Sequence, residues 1–162
     1  MNFRNFIFLI FFPFCLQAGE IIKFSPYDVK LKKNADIIAE LHFPEGPGPF
    51  PLIITQHGST RNQDFQEGNG KTDDYSIEIV KQGLEAGFAV ATPDSFYHMN
   101  ISSSDKINFP IAMSFGVELK DILSQHPRID KNNIFYTGFS FGGTTSLITL
   151  TSNAVQNSQY RL

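Results

Sequence analysis

One short run in this sequence has the residue types and spacing of covalent catalysis: Gly138-Phe139-Ser140-Phe141-Gly142-Gly143. A serine hydroxyl attacks a carbonyl usefully only when it is held out of the core, beside a base and beside donors for the negative charge that develops on the carbonyl oxygen. The G-x-S-x-G spacing serves the first of these needs. A serine in a sharp, strained turn between a strand and a helix projects its hydroxyl outward, and glycines two residues before and after it leave room where side chains would collide with neighbouring backbone. Glycine and serine are common, so the letters alone are weak. Their context strengthens them: the apolar run Asn133 to Thr137 enters the pattern, and Thr144 to Thr151 leaves it as the start of a helix.

The oxyanion of an acyl transfer needs two N–H donors. The residue after the nucleophile supplies one, the backbone N–H of Phe141. The second is expected from the loop His57-Gly58-Ser59-Thr60, which follows an earlier apolar run, with Ser59 N–H as the donor and Gly58 permitting the turn. His57 in such a turn is expected to orient the loop by hydrogen bonding rather than to act as a base. Asp94, after another apolar run, reads as a loop or pocket residue, and Asp130 as a structural residue in a turn.

The elements that must position these residues follow from periodicity. Ile21 to Phe24 and Ile37 to Phe43 read as two short strands, paired antiparallel. Pro44-Glu45-Gly46-Pro47-Gly48-Pro49 is a loop, because prolines and glycines in such density forbid a regular ladder. It leads into Pro51 to Gln56, a continuous apolar run suited to a strand buried on both faces. A helix is expected from Asp73 or Asp74, with Tyr75, Ile79, Val80 and Leu84 on one face and Gly87 closing it. Phe88 to Thr92 is the next buried strand, stopped by Pro93-Asp94. Between Asp105 and His126 a second helix carries Ile111, Phe115, Leu119, Ile122 and Leu123 on one stripe, with Pro110 near its first turn. Asn133 to Thr137 is the third buried strand. This alternation predicts an α/β fold, a mostly parallel sheet with helices on both faces. Thr151 to Leu162 is polar and weakly patterned and reads as a ragged end.

His57-Gly58 after one strand, Thr92-Pro93-Asp94-Ser95-Phe96 after the next, and Gly138 to Gly143 after the third together resemble the dienelactone hydrolase branch of the α/β-hydrolases, over about Phe43 to Leu150. The nucleophile of that branch is often cysteine; with Ser140, this sequence is similar to its esterase-like relatives. The resemblance implies a serine hydrolase that takes a small-molecule ester, lactone or related acyl substrate through an acyl-enzyme on Ser140, with no cofactor or metal. It also implies a triad in the order serine, acid, histidine. Residues 141 to 162 contain no Asp, Glu or His, and His42, His57, His98 and His126 all precede the serine. The expectation is a partial hydrolase domain, 19–162, that lacks the C-terminal strands bearing the acid and the histidine and is inactive or very weak. The alternative is a non-catalytic exported binding protein on a hydrolase scaffold.

Length, charge and the N-terminus bound these readings. At 162 residues the chain is one domain long. With 13 basic against 16 acidic residues, a formal charge of -3 and no basic run, nucleic acid is not an expected partner. Arg4 followed by the apolar run Phe6 to Leu16 and by Gln17-Ala18-Gly19 has the order of a secretory signal peptide over 1–18, cut near Ala18. The run falls short of the roughly 18 apolar residues that cross a bilayer, so no stable membrane anchor is expected, and the mature chain is expected to be secreted or periplasmic. Cys15, the only cysteine, lies inside the run, leaving a cleaved product without thiol or disulfide chemistry. Asn100-Ile101-Ser102 is a formal glycosylation sequon. Nothing in the composition specifies an oligomeric state.

Overall fold

A computed structural model describes residues 19–28, 32–59, 73–97, 109–151 and 160–161. The expected leader with Cys15, Thr60, His98 and the sequon at Asn100 lie outside the described residues.

The chain opens with β1 (Glu20–Phe24), a small antiparallel pair β2 (Tyr27–Asp28) and β3 (Lys33–Asn34), and then β4 (Ile37–His42). It continues through β5 (Phe50–Gln56), α1 (Asp74–Glu85), β6 (Ala89–Asp94), α2 (Phe109–Leu123), β7 (Ile129–Gly138), α3 (Phe141–Thr151) and β8 (Tyr160–Arg161). The main sheet has six strands in the order β1-β4-β6-β5-β7-β8. β1 pairs antiparallel with β4 and β4 antiparallel with β6, whereas β6, β5, β7 and β8 run parallel. The expected antiparallel opening and parallel centre are both present.

The parallel centre is buried on both faces. Leu52 and Ile54 of β5, Ala89 and Ala91 of β6 and Ile134 and Tyr136 of β7 form one core with Phe115, Leu119 and Leu123 of α2. On the other face Val80 and Leu84 of α1 cover Val90, with Ile53 and Ile79 alongside. Two-sided burial is why these strands read as continuous apolar runs rather than alternating ones. Asp73 caps α1 by accepting the Ser76 N–H at 2.8 Å, and Gly87 leaves the helix in the left-handed region at φ 82°.

Several boundaries depart from expectation. β6 runs through Pro93 to Asp94, with Pro93 opposite Ala39. β5 pairs with β6 only as far as Ala91, so on that side no ladder bond is left for the missing N–H to break. β7 begins at Ile129, which puts Asp130 inside the strand rather than in a turn; its carboxylate accepts from Asn132 N and Asn133 Nδ2. On α2, Ile122 is 37% exposed and lies off the stripe that buries Phe115, Leu119 and Leu123. The side chain of Ile111 is outside the described residues. The stretch read as a ragged end contains β8, which pairs parallel with β7 at Ile134 and Phe135. One strand after the elbow helix is therefore present, though only two residues long.

β4 carries a feature that its pattern hides. Ile37, Ala39 and Leu41 fill the core on one face, but Glu40 and His42 on the other are also buried, with Glu40 Oε2 3.2 Å from His42 Nε2. Thr92, opposite Glu40 in the sheet, is buried with its hydroxyl lacking a hydrogen bond. Each of the two side chains thus has the other as a close polar neighbour in the interior.

Candidate active site

The site is built where β5, β6 and β7 end. β7 runs extended as far as Gly138, Phe139 N–H donates to Gln56 O across the strand ends at 3.4 Å, and α3 begins at Phe141. Between strand and helix, Ser140 takes φ 52°, a left-handed conformation that costs a residue with a Cβ roughly 1 kcal/mol or more. The turn is closed by Gly142 N–H to Phe139 O at 2.8 Å and Thr144 N–H to Ser140 O at 3.0 Å. Ser140 is exposed at its apex.

The glycines at 138 and 142 are required by backbone, not by side chains. A Cβ on Gly142 would lie 2.1 Å from Gln56 O and 2.6 Å from His57 O, and one on Gly138 would lie 2.5 Å from Gly142 C. Close packing of α3 against the end of β5 thus has no room for a methyl group at either position. The strain at Ser140 gives a first test. Ser140→Gly should be more stable than Ser140→Ala by about 1 kcal/mol in urea unfolding, because only glycine adopts this backbone conformation freely. Equal stability of the two would mean that the turn is not left-handed.

α3 is poor in strong helix formers, and its buried hydroxyls are satisfied within it. Thr145, Ser146 and Thr149 are buried and donate to the carbonyls of Phe141, Gly142 and Thr145, four residues back. Phe141 opens the helix, which places its N–H among the first-turn donors that point out of the N-terminal end. Its ring is buried beside Phe96, with centroids 6.1 Å apart.

The loop after β5 lies against this turn. Ser59, Gly58, Phe139 and Ser140 surround a cleft of about 330 Å³ with Asp73, Asp74 and Tyr75 from the start of α1. The structure therefore brings Ser140 and Ser59 to one cleft; Phe141, next in the chain after Ser140, is not among its lining residues. His57 is fully buried and its ring is held at both nitrogens. Ser95 N–H donates to Nε2 at 3.1 Å, so Nε2 must accept, and the proton sits on Nδ1, 2.8 Å from Gly58 O. Phe96 packs edge-on against the ring at 4.4 Å, and Asp94 Oδ1 lies 3.9 Å from Nε2. A ring so engaged fixes the loop and is not placed to take a proton from Ser140. Asp94, read as a loop or pocket residue, is instead the last residue of β6, paired with Ile38; it is buried and accepts the Phe96 N–H at 3.0 Å.

Two supporting groups escaped the sequence reading. Asp73 uses its second oxygen to accept the Gly58 N–H at 2.5 Å, so one carboxylate caps α1 and pins the loop that carries Ser59. Gln56 donates through Nε2 to Ser95 Oγ and accepts from the Tyr136 hydroxyl at 3.4 Å, joining the ends of all three strands. Burial pushes the Tyr136 phenol well above its ordinary pKa, which keeps it a donor. Neither residue belongs to a short motif; only the fold makes them neighbours. Among the described residues no group of three His, Cys, Asp or Glu side chains could hold a metal ion, and no helix is long and apolar enough to cross a membrane.

The arrangement of this sheet and its helices also occurs in solved structures. The α/β hydrolase GrgF from Penicillium sp. sh18 superposes with a TM-score of 0.63 at 16% identity, over 85% of this chain and 43% of its own. The fold is that of the α/β-hydrolases. A hyperthermophilic esterase from the archaeon Pyrobaculum calidifontis gives 0.57 at 14% identity, over 88% of this chain and 42% of its own. A 2,6-dihydroxy-pseudo-oxynicotine hydrolase gives 0.57 at 20% identity, over 84% of this chain and 34% of its own. The chain thus spans less than half the length of each of these hydrolase-fold structures. No protein-family profile and no curated protein sequence matches it.

Proposed function

We propose that this chain is a serine hydrolase of the dienelactone hydrolase kind, exported and cut near Ala18, that acts on an ester, lactone or related acyl substrate. Ser140 is the nucleophile, and the backbone N–H groups of Phe141 and Ser59 receive the oxyanion. The observation that carries the reading is Ser140 itself, an exposed non-glycine residue at φ 52° between a strand and a helix, in a cleft shared with Ser59. Strain of this kind persists only where the surroundings over-determine it, and it clusters at reactive sites.

In the reaction, Ser140 Oγ attacks the carbonyl, its proton passes to a base, and the tetrahedral intermediate expels the alcohol to leave an acyl-enzyme. Water then attacks the acyl carbon and releases the acid and the free serine. The described histidines are engaged elsewhere: His42 with Glu40, His57 with Ser95 and Gly58, and His126 with Glu20 at 3.6 Å. The reading therefore assigns base and acid to residues that this sequence does not supply after Ser140, and it makes the chain by itself a slow acylator. The engagement of His42, His57 and His126 with these partners favours the second reading, an exported binding protein on a hydrolase scaffold. Prolonged incubation with p-nitrophenyl acetate, followed by peptide mass spectrometry, separates the two. Acetyl should be found on Ser140 and be absent from Ser140→Ala; acetylation spread over other hydroxyls at equal extent would overturn the catalytic reading.

A further inference from the structure

The residue before the nucleophile is a phenylalanine with 56% of its surface exposed. Its ring is held, not loose. One face stacks on Tyr75, with centroids 5.5 Å apart and planes 30° from parallel. Tyr75 is in turn fixed by a 3.1 Å hydrogen bond between its hydroxyl and Thr137 Oγ1, on the strand that leads into the turn. Beneath the ring runs the loop of Ser59, where a Cβ on Gly58 would touch Phe139 Cδ1 at 3.4 Å. Phe139, Tyr75, Ser59 and Ser140 all line the same cleft. A large apolar ring backed by Tyr75, with the Gly58 loop close by, yet left open beside a hydroxyl at a strained turn, is poor placement for core packing and good placement for a ligand's flat face.

The geometry points to an aromatic platform: Phe139, backed by Tyr75, receives an aryl group of the substrate beside Ser140, so that the site selects aryl esters over saturated esters of the same size. The inference deepens the proposed hydrolase reading and rests on it for the word substrate, but the platform itself is a binding property. Pre-ordering by Tyr75 and Thr137 means that little ring freedom is lost when a ligand stacks. Stacked and edge-to-face aromatic pairs gain an increment beyond their buried area, which a saturated ring of equal size does not collect.

The test titrates the isotope-labelled 162-residue chain with methyl benzoate and with methyl cyclohexanecarboxylate, read by nuclear magnetic resonance. Methyl benzoate should bind about fivefold more tightly, shifting the ring signals of Phe139 and Tyr75 and the amide of Ser140. Phe139→Leu should abolish the preference, and Phe139→Tyr should keep it. Equal affinities in the parent chain, a preference that survives Phe139→Leu, or shifts confined to residues away from the cleft would each overturn the platform. Ser140→Ala separates the two readings: it should leave the aryl preference intact. A preference that persists while no acetyl adduct forms on Ser140 in the parent chain would sink the hydrolase reading alone.

Discussion

Gly142→Ala should cost this protein roughly 4 kcal/mol or more, the scale of severe overpacking, and leave much of it unfolded in mild urea. The new methyl carbon would stand 2.1 Å from Gln56 O, 2.6 Å from His57 O and 2.7 Å from Gln56 C. All three are backbone atoms at the end of β5, so no side chain can swing away. Relief requires α3 to lift off the sheet or the 57–59 loop to move, and that loop is tied down by His57 to Ser95 and by Asp73 to Gly58. Gly138→Ala should be comparably damaging, since its methyl would meet Gly142 C at 2.5 Å. Gly143→Ala supplies the internal comparison. Its nearest contact is Gly138 O at 3.1 Å, which asks the neighbour to give only slightly, so its cost should stay near 1 kcal/mol. Against a domain stability of roughly 5–15 kcal/mol, the first two changes are decisive and the third is not. Urea unfolding followed by circular dichroism measures the series. If Gly142→Ala proved as stable as Gly143→Ala, the close approach of α3 to β5 would be wrong.

That contrast also shows what the sequence discloses and what it hides. The glycine spacing around Ser140 was legible because a steric demand between adjacent backbones leaves one residue type as its signature. The buried strands were legible because two-sided burial leaves an apolar run, as in Leu52 to Ile54 and Ala89 to Ala91. Asp73 shows the limit. An aspartate before a helix announces a cap, but nothing local announces that its other oxygen holds Gly58, fifteen residues earlier. Glu40 and His42 alternate with apolar neighbours in the way of a solvent-facing side, and only the arrangement of the sheet buries them. Pro93 reads as a stop because a prolyl nitrogen breaks a ladder, yet here the ladder on one side has already ended at Ala91. β8 is too short for any periodicity to register. The fold and the elbow were thus written in local chemistry, while the groups that brace the elbow depend on contacts between distant segments.

The largest expected effect on activity concerns the partners of Ser140. With p-nitrophenyl acetate, the 162-residue chain should turn over at least about 10³-fold more slowly than a chain lengthened to supply an aspartate and a histidine after the elbow helix. A neutral serine hydroxyl is a weak nucleophile, and removing members of a catalytic triad typically costs several orders of magnitude. The oxyanion donors alone leave a residue of roughly 10³-fold over water, so Phe141 and Ser59 should keep the short chain above the spontaneous rate but far below an enzyme. His57 as bonded cannot make up the difference, because the Ser95 N–H occupies the nitrogen that would accept the proton. In the lengthened chain, Ser140→Ala should remove essentially all of the gain. His57→Gln in the same background should lower turnover through displacement of the loop, without abolishing the pH dependence contributed by the added histidine. Robust, Ser140-dependent turnover by the 162-residue chain would mean that a base lies within it after all; for His57 to be that base, it would have to leave the hydrogen bonds to Ser95 and Gly58.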